Sequence, residues 1–100
     1  MVTKIYKITS GFPKEELFAL TNQLRRAAVS ITSNIAEGSA RKSVAERKRF
    51  YEIARASLAE VDSQLEISIR LDYLKEDSIC ELDELVNHNF ALLTNLIIKS

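Results

Sequence analysis

The chain has 100 residues, 46% hydrophobic and 28% charged, which suits one soluble domain over 1–100 that buries about two-thirds of its unfolded surface. With 2 Gly, 1 Pro and no Trp it has little turn chemistry for a β-meander or sandwich, and its single cysteine, Cys80, excludes an internal disulfide. Net charge is zero, yet residues 1–49 hold ten basic groups against four acidic (+6), and residues 50–100 hold four against ten (−6).

The first predicted helix runs from Val2 to Thr9, with Val2, Ile5, Tyr6 and Ile8 apolar, and ends at Ser10-Gly11, where Gly11 suits a left-handed cap. Its start, "MVTKIYKITS", lacks the continuous apolar core of a signal peptide. No apolar run approaches the roughly 20 residues of a membrane span. A cytoplasmic protein without a membrane partner is the expectation.

Phe12-Pro13 opens the second helix, with Glu15 and Glu16 placed to favour its dipole. Leu17, Leu20, Leu24, Ala27, Ile31 and Asn34 recur at alternating spacings of 3 and 4, the seam of a helix packed nearly parallel or antiparallel to its neighbours. Gly38 is the expected stop. The third helix opens on "SVAE", with Ser43 as N-cap and Glu46 completing a capping box. Its stripe is Phe50, Ala54, Ser57, Leu58, Val61, Leu65 and Ile69, widened by Ile53 and Ile67. A second capping box, "SICE" from Ser78 to Glu81, opens the fourth, whose stripe is Ile79, Leu82, Val86, Asn89, Leu93 and Leu96, with Leu85, Leu92 and Ile97 beside it.

Short connections make neighbours antiparallel, so the expected fold class is all-α, an up-down four-helix bundle. The first helix spans about ten residues, while its partners reach about 20, or some 30 Å. Apolar surface is therefore left bare on its neighbours, and another subunit is the simplest cover.

Catalytic chemistry is sparse. His88 is the only histidine, the residue three before it is Leu85, and Glu84 stands four before, so no Glu-x-x-His metal motif exists. Two glycines, Gly11 and Gly38, cannot build a phosphate loop. A non-enzymatic protein without cofactor or metal is expected. Cys80 reads as a small, partly buried side chain.

Polar residues carry more information. Ser30, Asn34 and Glu37 share one face of the second helix, and Ser57, Glu60 and Gln64 are the corresponding small and polar residues of the third. Such groups can form interhelical hydrogen bonds that specify the bundle, with Arg25 or Arg26 reaching Glu37, Glu60 or Gln64. A ligand site made of the same groups is the alternative. Arg41, Lys42, Arg47, Lys48 and Arg49 cluster at the turn between the second and third helices. With Arg25 and Arg26 they are candidate contacts to nucleic-acid phosphates, a form of binding that falls steeply with salt. The competing explanation is a solvated charged face. Base stacking has little support, because the nearest aromatics are Phe50, in the expected core stripe, and Tyr51.

From "YKITSGFPKEELFALTNQLRRAAVSITSNIAEGSARKS" through "ERKRFYEIARASLAEVDSQLEISIRLDYL" the chain resembles the bacterial four-helix-bundle family of 23S rRNA-intervening-sequence proteins. The most specific residues are Arg25-Arg26-Ala27, Ser30-Ile31 and Ser33-Asn34-Ile35-Ala36-Glu37-Gly38, followed by Arg41, Ser43, Glu46, Phe50, Ala54, Ser57-Leu58, Glu60 and Gln64. The resemblance implies a left-handed bundle, a homopentameric ring, and association with RNA or a nucleic-acid-handling protein. Ala56 stands where the family tends to have Gly, and the first helix is shorter than its usual one. A non-enzymatic oligomer with a basic surface for RNA is the leading expectation, and a protein–protein scaffold or adaptor without direct nucleic-acid binding is the alternative.

Overall fold

The computed structural model describes residues 1–99; the side chains of Leu17 and Phe18 lie outside the description, and with them the seam position at Leu17. Helix α1 spans Val2–Thr9, and α2 spans Asn22–Ala40 after a 3-10 turn at Lys14–Glu16 and a π-helical turn at Leu17–Thr21. Helix α3 spans Val44–Arg70, and α4 spans Cys80–Lys99 after a 3-10 turn at Glu76–Ile79. Among the described residues there is no strand, and the chain is the all-α four-helix bundle with a short first helix that its periodicity predicts.

The long helices α2 and α3 form the backbone of the molecule, with α4 laid on α3 and α1 on α2. Their stripes meet in one core. Leu24, Leu58, Val61 and Leu93 are fully buried, joined by Ile5 from α1 and Val86 from α4. Burying a side chain of that size contributes about 1.5–3 kcal/mol, so this shared interior is the main source of stability.

Several local expectations need correction. On α3 the buried stripe is Tyr51, Ala54, Leu58, Val61, Leu65 and Ser68, so its middle is as expected, while Phe50, Ser57 and Ile69 lie half-buried at its edge. Ile53 and Ile67 are exposed instead of widening it. Ser68 is tolerated in the core because its Oγ donates to the Gln64 carbonyl at 2.8 Å. Neither glycine has positive φ, so Gly11 is no left-handed cap.

Gly38 does not end α2, which continues to Ala40. It permits close packing: a Cβ there would stand 2.7 Å from the Tyr51 ring and 3.2 Å from Phe50 Cβ. The second capping box is also absent, because Ser78 lies inside the 3-10 turn and donates to the Lys75 carbonyl at 2.7 Å. The stretch after Pro13 is 3-10 and then π, so α geometry begins at Asn22.

Helix α1 is held by specific contacts at its ends. Thr9 Oγ1 donates to the Ile5 carbonyl at 2.7 Å and accepts from Arg25 Nε at 2.9 Å. The Arg25 guanidinium also lies 4.6 Å from the Tyr6 ring centroid. Lys4 Nζ reaches Glu81 Oε2 at 2.6 Å, tying α1 to the first turn of α4. Farther along α4, Leu92 is 46% exposed, and Leu96, expected in the core stripe, is 40% exposed.

Candidate functional site

Two surfaces gather the residues singled out by the sequence: the α2–α3 turn and the groove between those helices. At the turn, Arg41 adopts an extended backbone and ends α2, with its N–H bonded to the Gly38 carbonyl at 3.2 Å. Ser43 Oγ accepts the Glu46 N–H at 3.3 Å, so the N-cap read from "SVAE" is present. Arg47 reaches back and its Nη1 donates to the Arg41 and Lys42 carbonyls at 3.2 and 2.8 Å. Both carbonyls lie in the turn, outside the helices on either side.

This geometry sorts the cations. Arg41 donates to Glu37 at 3.1 Å and its guanidinium sits 5.0 Å from the Phe50 ring centroid, while Arg47 staples the turn. Among the described residues, Lys42, Lys48 and Arg49 make no side-chain hydrogen bond or ion pair. Lys42 and Arg49 are exposed and Lys48 is half-buried. Arg25 lies away from the turn against α1, and Arg26 belongs to the α2/α3 groove. From Arg26 to Arg41 the rise along α2 is about 22 Å, so the seven cations do not form one patch.

The groove, about 470 Å³, is lined by Gln23, Arg26, Ala27, Ser30, Ser57, Glu60 and Gln64. Ser30 and Ser57 hydroxyls meet at 3.0 Å, and Asn34 Nδ2 donates to Ser30 Oγ at 3.0 Å and to its carbonyl at 2.8 Å. This is the expected interhelical bridge, but smaller than the sequence suggests. Glu37 pairs with Arg41 instead of joining it, and Gln64 donates at 3.4 Å to Gln23. Gln64 Oε1 is buried without a partner, a deficit that costs about 1–3 kcal/mol.

Arg25 does not cross to Glu37, Glu60 or Gln64, because α1 supplies its partners Thr9 and Tyr6. Gln23 was not among the sequence candidates. It lies 7 residues before Ser30 on the same helical face, a spacing that could have found it.

Outside these surfaces, Cys80 is exposed, not partly buried as expected, and His88 is exposed. Burial, and then the Glu16 carboxylate that Tyr73 Oη meets at 3.2 Å, push the Tyr73 phenol above its ordinary value. The Lys4 hydrogen bond holds Glu81 below the usual carboxylate range. No helix among the described residues is long and apolar enough to cross a membrane, and none of their side chains group as three or more metal ligands.

No curated protein matches the chain. The model of the 23S rRNA-intervening sequence protein family matches residues 1–95, which takes in all of α1 to α3 and most of α4, and the chain belongs to that family.

Proposed function

We propose that this protein is a non-enzymatic, self-assembling helical bundle that offers its α2–α3 turn to the phosphate backbone of structured RNA. One observation carries the reading: Lys42, Lys48 and Arg49 stand at a turn whose other two cations hold its shape, and among the described residues no acidic side chain pairs with those three. A turn stiffened by Arg41 and Arg47 presents the free cations without a large ordering cost on binding. The family description adds a coarse link to large-subunit ribosomal RNA. Self-assembly repeats the turn, so three charges become a band, as in the pentameric ring that the family resemblance implies.

Filter binding or anisotropy with a structured RNA at two salt concentrations tests the reading. Replacing Lys42, Lys48 and Arg49 together by Ala should flatten the slope of log affinity against log salt by about 2–3 per bound subunit. Arg25→Ala should leave that slope unchanged. An unaltered slope in the triple variant overturns the proposal. Light scattering reports the assembly, for which a monomer mass is the adverse result.

The scaffold reading is favoured by a different observation, the exposed Leu92 and Leu96 on α4. A polar substitution at Leu92 that removes a protein partner while RNA affinity persists would support it.

A further inference from the structure

Opposite charges that face each other across a groove normally pair when their side chains can meet. Arg26 and Glu60 line the same α2/α3 groove from its two walls. Ser30 opposes Ser57 and Gln23 opposes Gln64, which puts Arg26 and Glu60 within one residue of the same level on the two antiparallel helices. Yet they are not among the ion pairs formed within 4.0 Å, and neither makes a side-chain hydrogen bond. Space therefore separates a free guanidinium from a free carboxylate.

The floor between them is neutral and polar. The Ser30 and Ser57 hydroxyls bind each other, and the Gln64 amide is tied to Gln23 only by a 3.4 Å bond, with its Oε1 unpartnered. Turning both amides over would reverse that bond and leave a nitrogen unpaired in place of the oxygen. Either way one atom of the Gln64 amide stays buried and unpaired, while the exposed Gln23 amide keeps a second polar atom free. Ala27 is the one apolar side chain in the lining and no aromatic is present, so the groove has no platform for a base or a lipid chain.

We infer that this groove binds a small zwitterion, a free α-amino acid, with its carboxylate on Arg26 and its ammonium on Glu60. A carboxamide side chain matches the exposed Gln23 amide beyond, because it offers an acceptor to Gln23 Nε2. A volume of about 470 Å³ admits a molecule of this size without any helix moving. The site is about 16 Å along α3 from Arg49, so it is separate from the proposed RNA contact.

The test is titration of the isotope-labelled protein with L-glutamine, following backbone amide signals. Saturable shifts confined to residues 23–30 and 57–64 are expected. Removing the ligand's ammonium (N-acetyl-L-glutamine) or its carboxylate (L-glutamine amide) should each weaken binding at least tenfold. Arg26→Leu and Glu60→Gln, both at exposed positions, should abolish the shifts while the rest of the spectrum stays folded. Replacing Lys42, Lys48 and Arg49 should leave the shifts unchanged. Absence of saturable shifts at tens of millimolar, an equal response to the capped ligands, or groove signals that change with protein concentration instead of ligand would each overturn the proposal. The last result would mean that a second copy fills the groove.

Discussion

Helix α3 is bounded by two turns that look alike in sequence and are built differently. Each carries Ser with Glu three residues later, "SVAE" before α3 and "SICE" before α4. At the first, Ser43 keeps an extended backbone (φ −76°, ψ 133°) and its Oγ accepts the Glu46 N–H. At the second, the chain is already coiled into the 3-10 turn Glu76–Ile79, so the Ser78 hydroxyl points back to the Lys75 carbonyl. A cap depends on the backbone of the residue before the helix, and only one of the two serines has it.

The turns also differ in what stabilises them. The α2–α3 turn is held by arginines on carbonyls and by the fit of Gly38 against Tyr51. The α3–α4 turn passes through Asp72 at φ 62°, a left-handed conformation that Asp tolerates, and leans on Tyr73, which packs against Phe12 at 5.5 Å and bonds Glu16. The first is a tight junction of two helices. The second depends on the segment that follows α1.

The contrast can be broken from either side. The largest effect is expected at Gly38→Ala, where the new Cβ meets a buried ring; overpacking of this kind costs about 1–3 kcal/mol, more than the gain in helix propensity. Urea unfolding should show a lower midpoint, and a higher one would mean that Tyr51 gives way freely. Next, Ser43→Ala should cost about 1 kcal/mol. Ser78→Ala should stay within about 0.5 kcal/mol, as for an exposed side chain that caps nothing. Equal losses at the two serines would erase the distinction between the turns.

Smaller effects are tied to pH. The folded state raises the Tyr73 pKa, so the stability it contributes is complete below the ordinary phenol value of about 10 and is lost as pH rises through the folded one. Tyr73→Phe should remove this alkaline step in thermal unfolding. Glu81 shifts the other way: its contribution is present above about pH 4.3 and fades as pH falls through the lower folded value. The Glu81–Lys4 pair is exposed, so the acid effect should be slight and confined to α1 signals in NMR. Glu81→Gln should abolish it.

Much of the fold was legible because helical periodicity depends on local spacing. The bounds of α1, the buried Leu24, Ala27 and Ile31, and the Ser43 cap can all be read along the chain. The middle of the α3 stripe, Ala54, Leu58, Val61 and Leu65, is legible in the same way, and only its ends are not. Phe50 and Tyr51 are adjacent aromatics, and only packing chose Tyr51, under Gly38, leaving Phe50 at the edge beneath Arg41.

The candidate surfaces divide in the same way. The sequence identified the basic residues and the small polar face, since both are matters of residue type and spacing. It could not tell which cations stay free. Arg25 looks like Arg26 in the chain, but α1 brings Thr9 and Tyr6 to one and leaves the other in a groove.

By itself, then, the sequence determined helix number, helix faces and the positions where charge collects, because these follow from the 3.6-residue repeat and from composition. Tertiary structure alone decided which arginines are structural, that Gly38 is there for space and not for a turn, and that Gln64 lacks a partner. Each of those depends on what a neighbouring helix places within a few ångströms, and local spacing carries no record of that distance.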